Sequence, residues 1–219
     1  MKETKFDILQ NIEAVIFDLD GTLYNKKYFA IRLLLNNLKD IFIIQKERKT
    51  RNKMRGLNFN SSEEYYSNFF KNFSNFFKNK KYSEEFLRNW YFNKYMPQFT
   101  YVLKKYYKSR PSTEKIFNIL KSEKIKFAVL SDYPFVAERI KVLKLTEIFN
   151  ENYDYCFCTE DFGALKPSRI PFDELAKKLS VANENVLVVG DKPDTDGEGA
   201  KNAGMKFIDV CKFFSFFND

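Results

Sequence analysis

Short apolar runs that stop at a polar residue, spaced by stretches of helical length, constrain this chain more than any other feature. Ala14-Val-Ile-Phe17 runs straight into Asp18, Lys126-Phe-Ala-Val-Leu130 into Ser131, and Val186-Leu-Val-Val189 into Gly190-Asp191. Tyr155–Cys158 and Lys206–Val210 read as two more strands. Runs of this length bounded by turn-forming residues suit strands buried on both faces. Helical patterns lie between them, over about 111–123, 135–144, 171–180 and 196–203. Strands alternating with helices imply right-handed crossovers and a parallel sheet covered on both sides. In such a sheet the carboxyl ends of the strands share one rim, and ligands sit there.

The segment 24–108 interrupts this alternation. Ile31, Leu34, Leu35, Leu38, Ile41 and Phe42 recur at helical spacing and predict a helix over 28–44. Residues 45–62 read as a polar, basic link with Gly56 and Ser61-Ser62, and 63–107 as aromatic helices carrying Phe69, Phe73, Phe76 and Phe77. Pro97 is expected to break or cap one of them. The aromatic stripe reads as the core of a small helical domain. The expected fold is therefore α/β: a doubly wound, parallel, five-stranded Rossmann-like sheet with an inserted all-α cap domain. The core takes residues 1–23 and 109–219, and the cap takes 24–108. Ile8, Leu9 and Ile12 of the polar lead-in are expected on the sheet edge, and the tail Phe213–Phe217 against the body.

Composition narrows the chemistry. With no histidine, Ser-His-Asp and Cys-His catalysis and every histidine metal site are excluded. Three cysteines, an odd number, argue against a disulfide framework, so a cytoplasmic location is expected. No apolar run reaches the length of a membrane span, and Met1–Asp7 lacks the apolar stretch of a signal peptide. The net charge of +8 comes from lysines spread along the chain without a dense run, so nucleic acid is not an expected partner. The positive field favours an anionic substrate instead. Cys156 and Cys158 lack enough further ligands for zinc and read as core residues.

Asp18 and Asp20 stand two apart at a strand end, where their repulsion needs a cation or a shared proton to offset it. Ser131, Asp191, Asp194 and Asp196 belong to neighbouring strand ends, and Lys166 precedes Pro167 in a loop between them. Carboxylates without His or Cys suit Mg²⁺, and a hydroxyl with an ammonium suits phosphate oxygens.

Asp18-Leu-Asp20-Gly-Thr22, Ser131 in Val-Leu-Ser-Asp, Lys166 in Leu-Lys-Pro and Gly190-Asp191-Lys-Pro-Asp-Thr-Asp196 resemble the four motifs of the haloacid dehalogenase superfamily, in that family's order. Gly199–Met205 resembles the stretch that follows the fourth. The resemblance implies an aspartyl-phosphate mechanism, with Asp18 as nucleophile and Asp20 as acid and base, which would need a raised pKa. Ser131 and Lys166 would bind phosphate oxygens, and Lys166 would also hold Asp18 in line. Mg²⁺ would lie on the Asp18 carboxylate, Asp20 through its carbonyl, and Asp191, with Asp196 a weaker ligand. Thr22 would steady the motif loop.

The acid/base carboxylate at Asp20 favours phosphate esters over the carbon substrates of the family's dehalogenases. An insertion between the first and second motifs resembles the C1 type of cap, which favours a small phosphorylated metabolite. Thr22, Tyr24, Lys27 and Arg55 are the candidate substrate contacts, and the assembly is expected to be a monomer or homodimer. A phosphomutase using the same aspartyl-phosphate is the alternative, and a non-catalytic binding or regulatory protein is a third reading. The intact acid set speaks against that third reading.

Overall fold

The structure is a computed structural model, and it describes residues 5–78, 80–149 and 155–217. The first four residues of the lead-in lie outside these. Helix α1 (Lys5–Leu9) precedes strand β1 (Ala14–Phe17). The remaining strands are β2 (Lys126–Ser131), β3 (Cys156–Cys158), β4 (Val186–Gly190) and β5 (Lys206–Asp209). All pair in parallel, in the order β3-β2-β1-β4-β5. Phe17 stands level with Val129 and Val189, so Asp18, Ser131 and Asp191 emerge on one rim. The order reverses at β1, which is where an open parallel sheet leaves a crevice.

The strands alternate at period two, yet both faces are apolar. Val15, Phe17, Val129 and Val189 belong to one core, and Ala14, Ile16, Ala128, Leu130 and Val188 to another. The first core does not stop at the sheet. It runs on into Phe69, Phe70, Phe73, Trp90 and Tyr91 of the inserted segment. No helix among the described residues is long and apolar enough to cross a membrane.

The inserted segment is helical: α2 (Phe29–Leu35), α3 (Ile41–Met54), α4 (Ser62–Ser74), α5 (Glu84–Trp90) and α6 (Met96–Tyr106). Its first part departs from the single helix that the apolar spacing predicts. The Asn36 and Asn37 amides donate to the carbonyls of Arg32 and Leu33 at 2.7 and 2.8 Å, which ends α2. A 3-10 turn follows, and α3 continues through the expected link to Met54. Polar residues on its buried side hide that helix: Glu47, Thr50 and Arg51 are buried beside Ile43, Ile44 and Met54. Conversely Ile31, Leu35, Leu38 and Phe42 of the predicted stripe are each more than half exposed. Helix α4 starts at Ser61, whose Oγ accepts from the Glu64 N–H, and ends before Phe76 and Phe77. A widened π turn, Tyr91–Tyr95, joins α5 to α6, where Pro97 sits in the first turn and its missing N–H is tolerated.

The rest of the core follows the expected alternation, with α7 (Thr113–Ser122), α8 (Val136–Val142), α9 (Ile170–Leu179), α10 (Glu198–Asn202) and α11 (Val210–Ser215). The aromatic tail packs inward, with the Phe213 ring 5.8 Å from that of Phe17.

Candidate active site

Asp18 leaves β1 nearly buried, and both of its oxygens are held. Lys166 Nζ donates to Oδ1 at 2.9 Å and Thr22 Oγ1 to Oδ2 at 2.9 Å. Lys166 spends its other two protons on Asp196 Oδ1 and the Leu130 carbonyl, each at 2.8 Å. Two carboxylates therefore share one buried ammonium. Burial raises the Asp18 pKa to about 6, with Lys166 opposing the rise and the charges of Asp196 and Asp20 adding to it. Burial disfavours the Lys166 cation, but Asp18, Asp196 and Asp132 more than offset this and strengthen its hold on the proton.

Asp20 is held differently. Tyr24 donates to Oδ1 at 2.7 Å, and Ser131 and Arg139 donate to Oδ2 at 2.9 and 2.7 Å. Burial works to raise its pKa, but the Arg139 guanidinium and these hydrogen bonds prevail and lower it. The resting arrangement thus keeps Asp20 ionised, against the raised value that an acid role would ask for.

Asp191 pairs with the Lys26 ammonium, which also donates to the Asp20 carbonyl at 3.1 Å. Gly21, at φ +106°, makes room for this meeting: a Cβ there would lie 2.5 Å from Asp191 Oδ2. At Gly190 a Cβ would lie 2.5 Å from Asp196 Oδ2, so the fourth strand must end in glycine for Asp196 to reach Lys166. Oxygens of Asp18, Asp191 and Asp196 come within 4.8 Å of one another, and the Asp20 carbonyl already faces a cation. Hard oxygen donors of this kind fit Mg²⁺.

A cavity of about 430 Å³ opens above these groups. Asp18, Asp20, Lys166, Asp191 and Asp196 line it, with Tyr24 and Arg55 among the expected substrate contacts. Thr22 lies behind Asp18 with its side chain buried. Lys27 is exposed and lies over the Tyr28 ring, and its neighbour Lys26 lines the cavity instead. Ser131 is fully buried, and its hydroxyl is committed to Asp20 and Arg139. Arg55 reaches across to Asp132 Oδ2 at 2.8 Å and the Lys166 carbonyl at 3.1 Å.

Three further residues escape a reading of motifs. Asp132, beside Ser131, is held ionised: burial is outweighed by Lys166, Arg55 and Arg51. Arg139 carries the one sequence signal that would reveal it, a charge at a core position of α8 between Val136 and Ile140. Arg48 of α3 lines the cavity from a stretch that reads as a link.

A sequence profile of the haloacid dehalogenase-like hydrolase family matches residues 12–204. Glyceraldehyde 3-phosphate phosphatase of Methanocaldococcus jannaschii is 26% identical over 203 residues, covering 92% of this chain and 86% of that protein. The enzyme of the same name from Pyrococcus furiosus is 23% identical, covering 91% of this chain and 81% of that one. Among solved structures, a family IA, variant 3 HAD hydrolase from Entamoeba histolytica superposes with a TM-score of 0.58 at 21% identity, covering 90% of this chain and 83% of that one. With the profile spanning most of its length, the chain belongs to the haloacid dehalogenase-like hydrolase family.

Proposed function

We propose that the chain is a Mg²⁺-dependent phosphatase, a phosphoric monoester hydrolase that acts on a small phosphorylated metabolite through an aspartyl-phosphate on Asp18. The carrying observation is the buried Asp18–Lys166 pair facing the cavity with Asp191 and Asp196 beside it. The names of the two archaeal relatives support phosphate-ester chemistry.

Phosphate esters resist nucleophiles because the phosphoryl group is negative. Asp18, Asp191 and the Asp20 carbonyl would hold Mg²⁺, with Asp196 behind them, and the bound ion would neutralise part of that charge. Lys166 and Thr22 fix the Asp18 carboxylate, so it is presented to phosphorus with little orientational freedom to lose. An Asp18 oxygen bonds to phosphorus as the ester P–O bond breaks, and Asp20 delivers a proton to the departing oxygen. Because Arg139 holds Asp20 ionised, that proton must arrive with the substrate, as the ester monoanion brings one. In the second half Asp20 takes a proton from water as the water oxygen attacks phosphorus. The bond to Asp18 then breaks, and phosphate leaves with the proton that Asp20 took, which returns Asp20 to its ionised form. Residues 24–108 act as a cap over the core of residues 1–23 and 109–219, excluding water and meeting the leaving group.

The test is release of inorganic phosphate from a panel of phosphorylated metabolites with Mg²⁺ present and Asp18→Asn as the blank. The variant should lose about 10³-fold or more of the rate. Turnover that survives the substitution would remove Asp18 as nucleophile, and an isomeric phosphate without released phosphate would make the enzyme a mutase.

A further inference from the structure

Lys166 lies in neither a helix nor a strand, yet its ammonium stands between Asp18 and Asp196. Without regular structure around it, the place of that ammonium depends on what holds the backbone beneath it. Both polar atoms of the Lys166 backbone are held by one ion pair. Its N–H donates to Asp132 Oδ1 at 3.2 Å, and its carbonyl accepts from Arg55 Nη1 at 3.1 Å. The same Nη1 donates to Asp132 Oδ2 at 2.8 Å, which closes a ring through the two side chains and the Lys166 backbone. Asp132 is fixed in turn. Thr159 Oγ1 donates to its Oδ1 at 3.0 Å, and Arg51 Nη1 to its carbonyl at 2.6 Å. Arg51 and Arg55 stand about one turn apart at the end of α3, and the backbone becomes extended at Arg55. Further along, the Phe59 N–H donates to the Gly163 carbonyl at 2.9 Å, so the inserted segment grips the Lys166 loop a second time.

A guanidinium at the cavity wall has two uses, to meet the substrate or to hold the groups that do. The contacts of Arg55 favour the second. A substrate that drew Nη1 away would leave both Asp132 and the Lys166 carbonyl without it. The Arg55 and Asp132 side chains are only 23% and 12% exposed. Burial works against the charge of Asp132 and is outweighed by Lys166, Arg55 and Arg51. Taking a partner from a buried charge is costly, so this pair is kept rather than lent.

We propose that Arg55 and Asp132 are positioning residues for Lys166. Together they fix its backbone so that its ammonium reaches Asp18 and the transferring phosphoryl group, and Arg55 makes no contact with the rest of the substrate. This rests on the reading of Lys166 as a group that neutralises the phosphoryl charge. Because Arg55 belongs to the inserted segment, Lys166 is in place only while that segment is docked.

Glycerol 3-phosphate, 3-phosphoglycerate and acetyl phosphate, whose tails differ in length and charge, separate positioning from contact. With Mg²⁺, Arg55→Met should lower kcat by about 10- to 100-fold, the scale of a misplaced catalytic group, and by the same factor on all three. Asp132→Asn keeps the shape and loses the ion pair, and should give a loss of the same kind. Arg55→Lys returns a charge beside Asp132 and should recover part of the rate. A loss confined to one compound, or carried by KM alone, would make Arg55 a substrate contact and overturn the proposal. Hydrogen exchange read by NMR on metal-free protein follows the same contacts without turnover. Arg55→Met should speed exchange of the Lys166 amide by about 10-fold or more and leave the amides of β1 and β4 unchanged. An unmoved Lys166 amide overturns the proposal. Exchange that quickens across the sheet as well reduces Arg55 to a docking contact and overturns it too. Faster exchange at Lys166 alone, in a protein that hydrolyses none of the three compounds, would refute the phosphatase reading and leave the hold on Lys166 standing.

Discussion

Two buried cations each hold two carboxylates in this molecule, and they do different work. At the rim, Lys166 lies between Asp18 and Asp196. Where the inserted helices meet the core, Arg51 of α3 lies between Glu47 and Glu160 at 2.9 and 2.8 Å. Both cations are almost fully buried, and burial raises the pKa of one carboxylate in each cluster, Asp18 and Glu47. What separates them is access. Asp18, Asp196 and Lys166 line the cavity, whereas Arg51, Glu47 and Glu160 do not. Arg51 also donates to Tyr91 and the Asp132 carbonyl and lies 4.2 Å from the Tyr133 ring centroid, and Glu160 accepts from Tyr65 and Tyr66. A perturbed carboxylate therefore marks a reactive group only where a ligand can reach it.

The comparison breaks most visibly at Arg51. Arg51→Met leaves two buried carboxylates facing each other without a cation, and the junction between inserted helices and core depends on that cation. The expected loss is about 3–5 kcal/mol of stability, read by urea unfolding. A loss under about 1 kcal/mol would put the cluster in the class of exposed ion pairs, despite its burial.

The rim cluster makes the opposite kind of prediction, through pH. Asp18 has a folded pKa of about 6, above its ordinary 3.8. As pH rises, the unfolded chain ionises first, so this group's contribution is complete below about 4 and is lost as pH passes through 6. The loss is at most about 1.4 kcal/mol per pH unit and about 3 kcal/mol in all. Asp18→Asn removes it. In metal-free protein the variant should gain on the parent between pH 4 and 6 and by a constant amount above. A difference that stays flat across that range would mean that Asp18 titrates as an ordinary carboxylate.

This contrast also shows what a sequence can carry. Asp18, Asp20, Lys166 and Asp191 were legible because strand ends and a proline-marked loop place them, and short apolar runs announce strand ends. The five-stranded sheet followed from the same runs. Arg51 and Glu47 were not legible, because a helix whose buried side is charged shows no apolar period. Ile31, Leu35, Leu38 and Phe42 misled for the converse reason, being apolar residues on an outward face. Arg139 and Arg48 reach the site only through the packing of α8 and α3, which no local pattern encodes.

Arg139 sharpens the comparison because it is a second buried arginine, but one tied to Asp20, the carboxylate proposed as acid and base. Arg139→Lys keeps the charge and loses the fork that spans Asp20, Ser131 and the Tyr133 carbonyl. On alkyl phosphates kcat should fall by about 10- to 100-fold, the scale of a disturbed proton transfer. On p-nitrophenyl phosphate the fall should be much smaller, since that leaving group needs no proton. Arg51→Lys should show no such dependence on the leaving group. Equal losses on both esters would reduce Arg139 to a packing role.

The smallest effect belongs to a pair of tyrosines. Tyr24 donates to Asp20 Oδ1 at 2.7 Å, and Tyr91 accepts from Arg51 Nη2 at 2.6 Å. Each Tyr→Phe change removes one hydrogen bond, worth about 1 kcal/mol. The two should nevertheless be told apart. The Tyr24 bond helps to keep Asp20 low, so Tyr24→Phe should raise the Asp20 pKa. The acid limb of the pH–rate profile governed by Asp20 acting as base then moves up, and the shift stays small because Arg139 and Ser131 still hold Oδ2. Tyr91→Phe should lower the unfolding midpoint and leave the profile unmoved. If both substitutions change only stability, Oδ1 of Asp20 is not the oxygen that handles the proton, and Oδ2, between Arg139 and Ser131, takes that role.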